Sequence, residues 1–167
     1  MSLKRAAVAV IIRNDNEALF VRRIKREGDP WSGDIAFPGG MCKTEEDFIH
    51  AVIREVYEEV GIDLKVHEFL AELPFVSSSR FPDMKVKPFI FKLRNEVGVK
   101  KNDEIDEFFW ISLPKLKRKF VFIEKIARKR IAYVYGDVVI WGLTYRILKV
   151  FKKEFPQFFL PTENPAQ

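Results

Sequence analysis

The spacing of hydrophobic and polar residues changes along the chain, and each spacing predicts a type of secondary structure. Residues 5–13 (RAAVAVIIR) form an apolar run, which predicts a strand. The polar residues 14–16 predict a turn into a second strand at 18–23, so the two strands are predicted to form a hairpin. Gly, Pro and charged residues make 25–34 a loop, and the apolar residues 35–37 follow as a short strand.

A helical period begins after the sharp turn that Pro38-Gly39-Gly40 predicts. Thr44 is predicted to be the N-cap of a helix that begins at Glu45, with three acidic residues at its positive end. Gly61 is the predicted left-handed C-cap. The apolar stripe of this helix comprises Phe48, Ile49, Val52, Val56 and Val60.

The second half of the chain predicts further strands and a long final helix. Predicted strands lie at 64–76, 86–94 and 108–112, and a short helix begins at 112–114. The loops between them include a polar one at 77–83, which contains Arg80, and an acidic one at 102–106. A segment at 130–135 and a turn at 136–137 precede the last helix, whose apolar stripe runs from Ile140 to Phe155. Strands on both sides of a central helix indicate a sheet covered on both faces.

Composition favours one domain, predicted to span 1–160 and to be followed by a flexible tail at 161–167. The 167 residues, 47% of them hydrophobic, suffice for one sizeable core. No apolar run has the length of a membrane span, and charged Arg13 and Glu17 follow the first apolar run too closely for a signal peptide. The single cysteine, Cys42, excludes an internal disulfide and a cysteine-rich zinc site. We therefore expect a cytoplasmic protein without a membrane partner.

Basic residues outnumber acidic ones, and the net charge of +5 suits an anionic ligand. The segment 115–130 contains eight basic residues and one acid, Glu124. Such a segment is either a phosphate- or RNA-binding surface or an ordinary basic face of a Lys- and Arg-rich protein.

The segment from Gly40 to Ile62, GMCKTEEDFIHAVIREVYEEVGI, has regularly spaced Gly, Arg and Glu residues. On a helix, the side chains of Glu55, Glu58 and Glu59 stand at i, i+3 and i+4, so their carboxylates are predicted to converge. Converging carboxylates repel one another, and a hard divalent cation would offset that repulsion. The alternative is a solvated acidic face. Arg54 is predicted to pair with Glu58 or Glu46 and to hold the helix against the preceding loop.

This segment resembles the signature of the Nudix hydrolases, enzymes that split a diphosphate joining a nucleoside to another group. The positions that match are Gly40, Glu46, Arg54, Glu55, Val56, Glu58, Glu59, Gly61 and Ile62. The resemblance implies an α/β fold, an α/β/α sandwich around a mixed sheet. It also implies a Mg²⁺ or Mn²⁺ cofactor bound by Glu55 and Glu59, with Glu58 assisting and the Gly40 carbonyl as a further ligand. In this family the general base corresponds either to Glu55 or to a glutamate of a later loop, here Glu104 or Glu107. The catalytic set implied by the resemblance is Arg54, Glu55, Glu58, Glu59 and Glu104.

Flanking segments resemble the coenzyme A pyrophosphatases of the same superfamily. The similar stretches are Gly33–Gly40 (GDIAFPGG), Leu19 with Arg23, and Ile140–Leu148 (IWGLTYRIL), whereas the loop 26–32 lacks the Arg and His usual there. The resemblance implies hydrolysis of coenzyme A or a derivative. ADP-ribose, a dinucleotide or a (deoxy)nucleoside triphosphate are alternative substrates.

Several side chains are possible substrate contacts. Arg22, Arg23 and Arg80 either contact a nucleotide or the 3′-phosphate of coenzyme A, or are surface charges. Trp31 and Phe37 either stack on adenine or pack in the core. Two non-enzymatic alternatives are a module that binds a nucleotide without cleaving it and an RNA-binding protein. Apart from a small nucleotide substrate, the expected partners are a possible second copy in a homodimer and, less favoured, nucleic acid.

Overall fold

Two helices and eleven strands make up the computed structural model, which describes residues 3–161. The helices are α1 (Phe48–Val60) and α2 (Gly142–Glu154). The strands are β1 (Lys4–Arg13), β2 (Glu17–Arg23), β3 (Ile35–Ala36), β4 (Gly39–Met41), β5 (Glu68–Glu72), β6 (Val76–Ser77), β7 (Met84–Lys92), β8 (Ile105–Ser112), β9 (Lys117–Ile123), β10 (Arg128–Tyr135) and β11 (Val138–Ile140).

The main sheet is mixed, with the central order β3-β2-β1-β7-β5. Strands β1 and β7 are parallel, in a register from Lys4 opposite Met84 to Ile12 opposite Lys92. The other pairs of this sheet are antiparallel: β4 adds to β1, β6 to β7 and β8 to β2. A second, antiparallel sheet has the order β11-β10-β9.

Strand β1 is apolar throughout because it is covered on both faces. Ala7, Ala9 and Ile11 point into a core formed with α1, whereas Val10 and Ile12 point into a second core formed with α2. Side chains alternate between the two faces of a strand, so a strand buried on both sides requires apolar residues at successive positions. The predicted α/β/α sandwich around a mixed sheet is therefore confirmed.

The start of α1 differs from the prediction. The helix begins at Phe48, and the N-cap position belongs to Asp47, whose side chain makes no capping bond. Glu45 instead has a left-handed backbone (φ 63°) and cannot lie within the helix. The predicted cap at Thr44 is therefore wrong, because residues 43–46 form a turn that directs Glu46 toward Arg54. The predicted C-cap is correct, since Gly61 has φ 74°.

Other local predictions also needed the tertiary structure. Gly39 and Gly40 belong to a strand paired with β1 and do not form a free turn. The stretch 64–76 divides into a 3₁₀ turn and two short strands, and β11 separates the turn at 136–137 from α2. No strand was predicted at β9, because its first residues, KRK, are all charged. Most of the predicted flexible tail, 162–167, lies outside the described residues.

Neither helix in the described range 3–161 is long and apolar enough to cross a membrane.

Candidate active site

Two consecutive glycines allow β4 to lie close to both β1 and α1. A methyl group on Gly39, which has φ 153°, would overlap the carbonyl oxygen of Ala7. A methyl group on Gly40 would lie 2.5 Å from Oε2 of Glu55. The contact at Gly39 is with backbone, so glycine is required there, whereas a side chain at Gly40 would have to displace the Glu55 carboxylate.

Arg54 joins the helix to the loop before it. Its Nε and Nη2 donate hydrogen bonds to the two carboxylate oxygens of Glu46, at 2.9 and 2.8 Å. The same Nη2 donates to the Met41 carbonyl at 3.1 Å, and Nη1 donates to Oε1 of Glu55 at 2.7 Å. Hydrogen bonds from Arg54 and from the Lys43 N–H lower the pKa of Glu46 to about 2. The predicted structural role of Arg54 is therefore observed, and the residue also orients Glu55.

Glu59 is the most deeply buried carboxylate of the site, with 2% of its surface exposed. Its Oε1 accepts a hydrogen bond from the Gly39 N–H at 3.4 Å. Burial raises the pKa of Glu59 to about 8, and the charges of Glu55 and Glu104 raise it further, whereas the Gly39 N–H and Arg23 oppose the shift. Glu55, Glu59 and Glu104 therefore interact electrostatically, with Arg23 as a nearby cation.

The three helix glutamates do not converge as predicted. Glu58 has 53% of its side chain exposed, and its Oε2 accepts a hydrogen bond from Nη1 of Arg54 at 3.4 Å. Over residues 3–161, no group of three His, Cys, Asp or Glu side chains is close enough to hold a metal ion. The reason is that Glu58 remains exposed beside Arg54, while Glu55 packs on Gly40 and Glu59 turns inward to Gly39.

A cavity of about 690 Å³ opens beside the two glycines. One part of its wall consists of Gly39, Gly40 and Arg23. The Nη2 of Arg23 pairs with Asp29 at 3.3 Å, but its Nε is buried without a hydrogen-bond partner among the described residues. An unpaired buried guanidinium N–H is destabilising, while the Arg23 side chain as a whole remains 30% exposed.

The other predicted substrate contacts differ in their surroundings. Phe37 is only 3% exposed and stacks on Phe20 at a centroid distance of 4.7 Å, so it packs in the core, although it also borders the cavity. Trp31 lines the cavity while packing on Phe81. Arg80 also lines it, and its Nη1 donates to the Pro30 carbonyl at 3.1 Å. This contact ties the loop before β7 to the loop after β2.

Arg22 lies outside the cavity wall. Its Nε donates to Oε2 of Glu107 at 3.1 Å, across the β2–β8 pair. Glu107 lies within β8, not in a loop as predicted, and is engaged with Arg22, whereas Glu104, in the loop just before β8, helps to raise the pKa of Glu59. The structure thus distinguishes two glutamates that were equivalent in the sequence.

Three further arginines line the cavity, and sequence reasoning did not select them individually. They are Arg128, Arg130 and Arg146. The first two belong to the basic segment 115–130, and the third lies within IWGLTYRIL, so both signals were present in the sequence. What was missing was the information that β10 and α2 border the same cavity.

Comparison with known proteins agrees with this architecture. The NUDIX domain family matches residues 3–131, and the chain belongs to that family. Its fold is also that of a Nudix hydrolase from M. smegmatis, RenU, with a TM-score of 0.63, 12% identity, and 97% of this chain and 89% of that one covered. The protein is a Nudix hydrolase, an enzyme that acts on pyrophosphate bonds.

Two sequence relatives have more specific names. An ADP-ribose pyrophosphatase of Methanocaldococcus jannaschii is 34% identical over 133 residues, covering 78% of this chain and 76% of the relative. The mitochondrial coenzyme A diphosphatase NUDT8 of Mus musculus is 26% identical, covering 94% of this chain and 81% of the relative. The predicted superfamily and the resemblance to coenzyme A diphosphatases are thereby confirmed.

Proposed function

We propose that the protein hydrolyses the diphosphate of a nucleotide linked to another group, in a reaction that depends on a divalent cation. The main support for this proposal is that Glu55 and Glu59 lie against Gly39 and Gly40. These two glycines form part of the wall of the large cavity. The favoured substrate is coenzyme A or a derivative. It is supported by the GDIAFPGG and IWGLTYRIL stretches and by similarity to the mouse coenzyme A diphosphatase over 94% of the chain.

The residues present fit a hard cation such as Mg²⁺ or Mn²⁺. Glu59 is a buried carboxylate whose pKa is raised by burial and by Glu55, so a cation between the two would relieve an unfavourable arrangement. Mg²⁺ needs only one or two protein carboxylates, because waters and substrate phosphate oxygens complete its octahedron. Glu55, Glu59 and the Gly40 carbonyl would hold it, with Glu58 available only after leaving Arg54. A bound cation would neutralise the diphosphate charge and acidify an attacking water.

The side chains of the site have separate tasks in this proposal. Arg23, whose side chain lines the cavity, binds a phosphate oxygen through its guanidinium group, and Arg54 holds Glu55 in place. A water molecule attacks one phosphorus atom, the bridging P–O bond breaks, and two phosphomonoesters leave. Glu104 or Glu55 accepts the proton of that water as general base. Glu104 is favoured over Glu107, since Glu107 is bound to Arg22.

ADP-ribose is the second candidate substrate. It is supported by the archaeal relative, which is named an ADP-ribose pyrophosphatase and is 34% identical to this chain. ADP-ribose and coenzyme A share an adenosine diphosphate, so both would present the same bond to Glu55 and Glu59.

A substrate panel with product identification tests the proposal. The protein is incubated with Mg²⁺ and either coenzyme A, ADP-ribose, diadenosine tetraphosphate or 8-oxo-dGTP, and the products are identified by mass. Release of 4′-phosphopantetheine with adenosine 3′,5′-bisphosphate is the expected result. The Glu55→Gln variant, purified in parallel, controls for contaminating hydrolases. Preferred cleavage of ADP-ribose would favour the second candidate, and no cleavage of any diphosphate would refute the proposed function.

A further inference from the structure

We propose that Arg128, Arg130 and Arg146 form a binding site for a ribose phosphomonoester that the substrate carries in addition to its diphosphate. This inference rests on the proposed function of the cavity as the substrate site. It assigns one chemical group of the substrate to these three arginines of the cavity wall. The arginines are then determinants of substrate specificity.

The backbone of β10 presents two of the three guanidinium groups to the cavity. Arg128 and Arg130 are two residues apart on this strand, so their side chains leave the same face. Both line the cavity, and Lys129, on the opposite face, does not. Arg146 joins them from α2, so the three cations come from two separate elements that meet at one cavity.

Acidic groups do not balance this positive charge. Among the residues that line the cavity, Asp34 is the acid, and its Oδ2 already pairs with Nζ of Lys125 at 3.1 Å. Within the described chain, none of the three arginines forms a salt bridge with a carboxylate, and Arg130 donates only to the Lys129 carbonyl at 3.3 Å. Neighbouring cations that face a concave surface without counter-charges attract a multiply charged anion.

The first turn of α2 adds to the positive potential. Gly142, Leu143 and Thr144 line the cavity, and the N-cap residue, Trp141, makes no side-chain capping bond. The first N–H groups of a helix lack partners within the helix, and its dipole places partial positive charge at that end. The arginines and this helix end therefore favour the same kind of ligand.

A phosphomonoester fits this site better than another part of the substrate. It carries a charge of about −1.5 to −2 near neutral pH and has three terminal oxygens, which match the planar fork of a guanidinium. The diphosphate itself is assigned to Gly40 and Arg23, which line the same cavity. A cavity of about 690 Å³ is large enough for a nucleotide that contacts both sets of residues. The phosphate would be on the 3′ or the 2′ oxygen of the ribose.

Paired substrates that differ by one phosphate test the proposal. kcat/KM is measured for coenzyme A against 3′-dephospho-coenzyme A, and for 2′-phospho-ADP-ribose against ADP-ribose. Arg128→Gln, Arg130→Gln and Arg146→Gln should each lower kcat/KM about 10-fold or more for the member with the extra phosphate, as expected for a charged hydrogen bond. The member without it should change less than about 2-fold, because it lacks the group that these side chains bind. The pair that responds identifies the 3′ or the 2′ position.

Lys129→Gln and Lys149→Gln are the matched controls, since each removes one charge from β10 or α2 without altering the cavity wall. Equal losses for both members of each pair, or equal losses in the controls, would overturn the proposal.

A binding measurement separates this inference from the proposed function. Calorimetric titration of the whole protein with AMP, adenosine 3′,5′-bisphosphate and adenosine 2′,5′-bisphosphate requires no catalysis. Tighter binding of one bisphosphate than of AMP, lost in the Arg128→Gln and Arg146→Gln variants, would support the site even if no diphosphate were cleaved. Equal binding of all three nucleotides would overturn it.

Discussion

The carboxylate of Glu55 packs directly on the backbone of Gly40, so closely that a methyl group there would lie 2.5 Å from Oε2. On its other side the same carboxylate accepts a hydrogen bond from Nη1 of Arg54 at 2.7 Å. Glu55 is therefore confined between the glycine strand and the arginine. The position of one carboxylate thus depends on a glycine fifteen residues earlier in the sequence.

Replacing Gly40 with alanine should impair turnover more than folding. The new methyl group would displace the Glu55 side chain, and misplacing a catalytic group by about 1 Å can cost on the order of 100-fold in rate. We expect kcat to fall at least 10-fold, about the lower end of that effect, with a far-ultraviolet circular dichroism spectrum like that of the wild type. Gly98→Ala is the control, because a Cβ at that glycine meets nothing within 4 Å. Full activity of Gly40→Ala would contradict the close packing.

Neutralising either inner glutamate should abolish turnover. Glu55→Gln and Glu59→Gln keep the shape of the side chain but remove the charge that would bind a cation or accept a proton. We expect each to lower kcat at least about 100-fold with Mg²⁺ present. Glu58→Gln should have a smaller effect, since that carboxylate is exposed and bound to Arg54. If Glu58→Gln were the most damaging of the three, the assignment of the inner pair would be wrong.

The raised pKa of Glu59 predicts how the stability of the metal-free protein depends on pH. Glu59 has a pKa of about 8 when folded, against 4.5 for an ordinary glutamate. Between these values the folded state retains a proton that the unfolded state has lost, so stability falls as the pH rises. For one proton the slope is at most about 1.4 kcal/mol per pH unit.

Urea unfolding in the presence of EDTA measures this slope, at several pH values between about 5 and 9. In Glu59→Gln the contribution should disappear, because the amide does not titrate. Wild-type stability that rose relative to the variant over this range would mean that the pKa of Glu59 is not raised.

Arg23 should contribute to substrate binding, and its neighbour Arg22 should not. Arg23 lines the cavity, and its guanidinium group pairs only with Asp29 among residues 3–161, whereas Arg22 lies outside the cavity wall and pairs with Glu107. A charged hydrogen bond contributes about 1.5–3 kcal/mol, so Arg23→Ala should lower kcat/KM by about 10- to 100-fold. Arg22→Ala, the control on the same strand, should remain within about 3-fold of the wild type. Steady-state kinetics in which both variants behaved alike would refute this distinction.

Glu104, in the loop before β8, and Glu107, within β8, should also differ. If Glu104 is the general base, Glu104→Gln should lower kcat by about 100-fold or more and remove the acidic limb of the pH–rate profile. Glu107→Gln should leave that limb in place, because the Glu107 carboxylate is bound to Arg22. An unchanged acidic limb in Glu104→Gln would transfer the role of base to Glu55.

Structural features that depend only on residues close together in the sequence were predicted correctly. The apolar run at residues 5–13 correctly predicted strand β1, and Gly61 correctly marked the end of α1. Both features depend on neighbouring residues alone, through side-chain alternation and the left-handed conformation that glycine tolerates. The start of α1 was predicted wrongly, because the Glu46–Arg54 ion pair determines the path of the loop before it.

The sequence by itself determined the family, the reaction class and the segment that contains the glutamates, because these are encoded in a fixed spacing on one helix. Only the tertiary structure decided that Glu59 turns inward while Glu58 remains outside with Arg54. It alone separated Glu104 from Glu107 and brought Arg128 and Arg146 to one cavity. The physical reason is that burial, pairing and shared cavities arise between elements distant in sequence, and no local spacing specifies them.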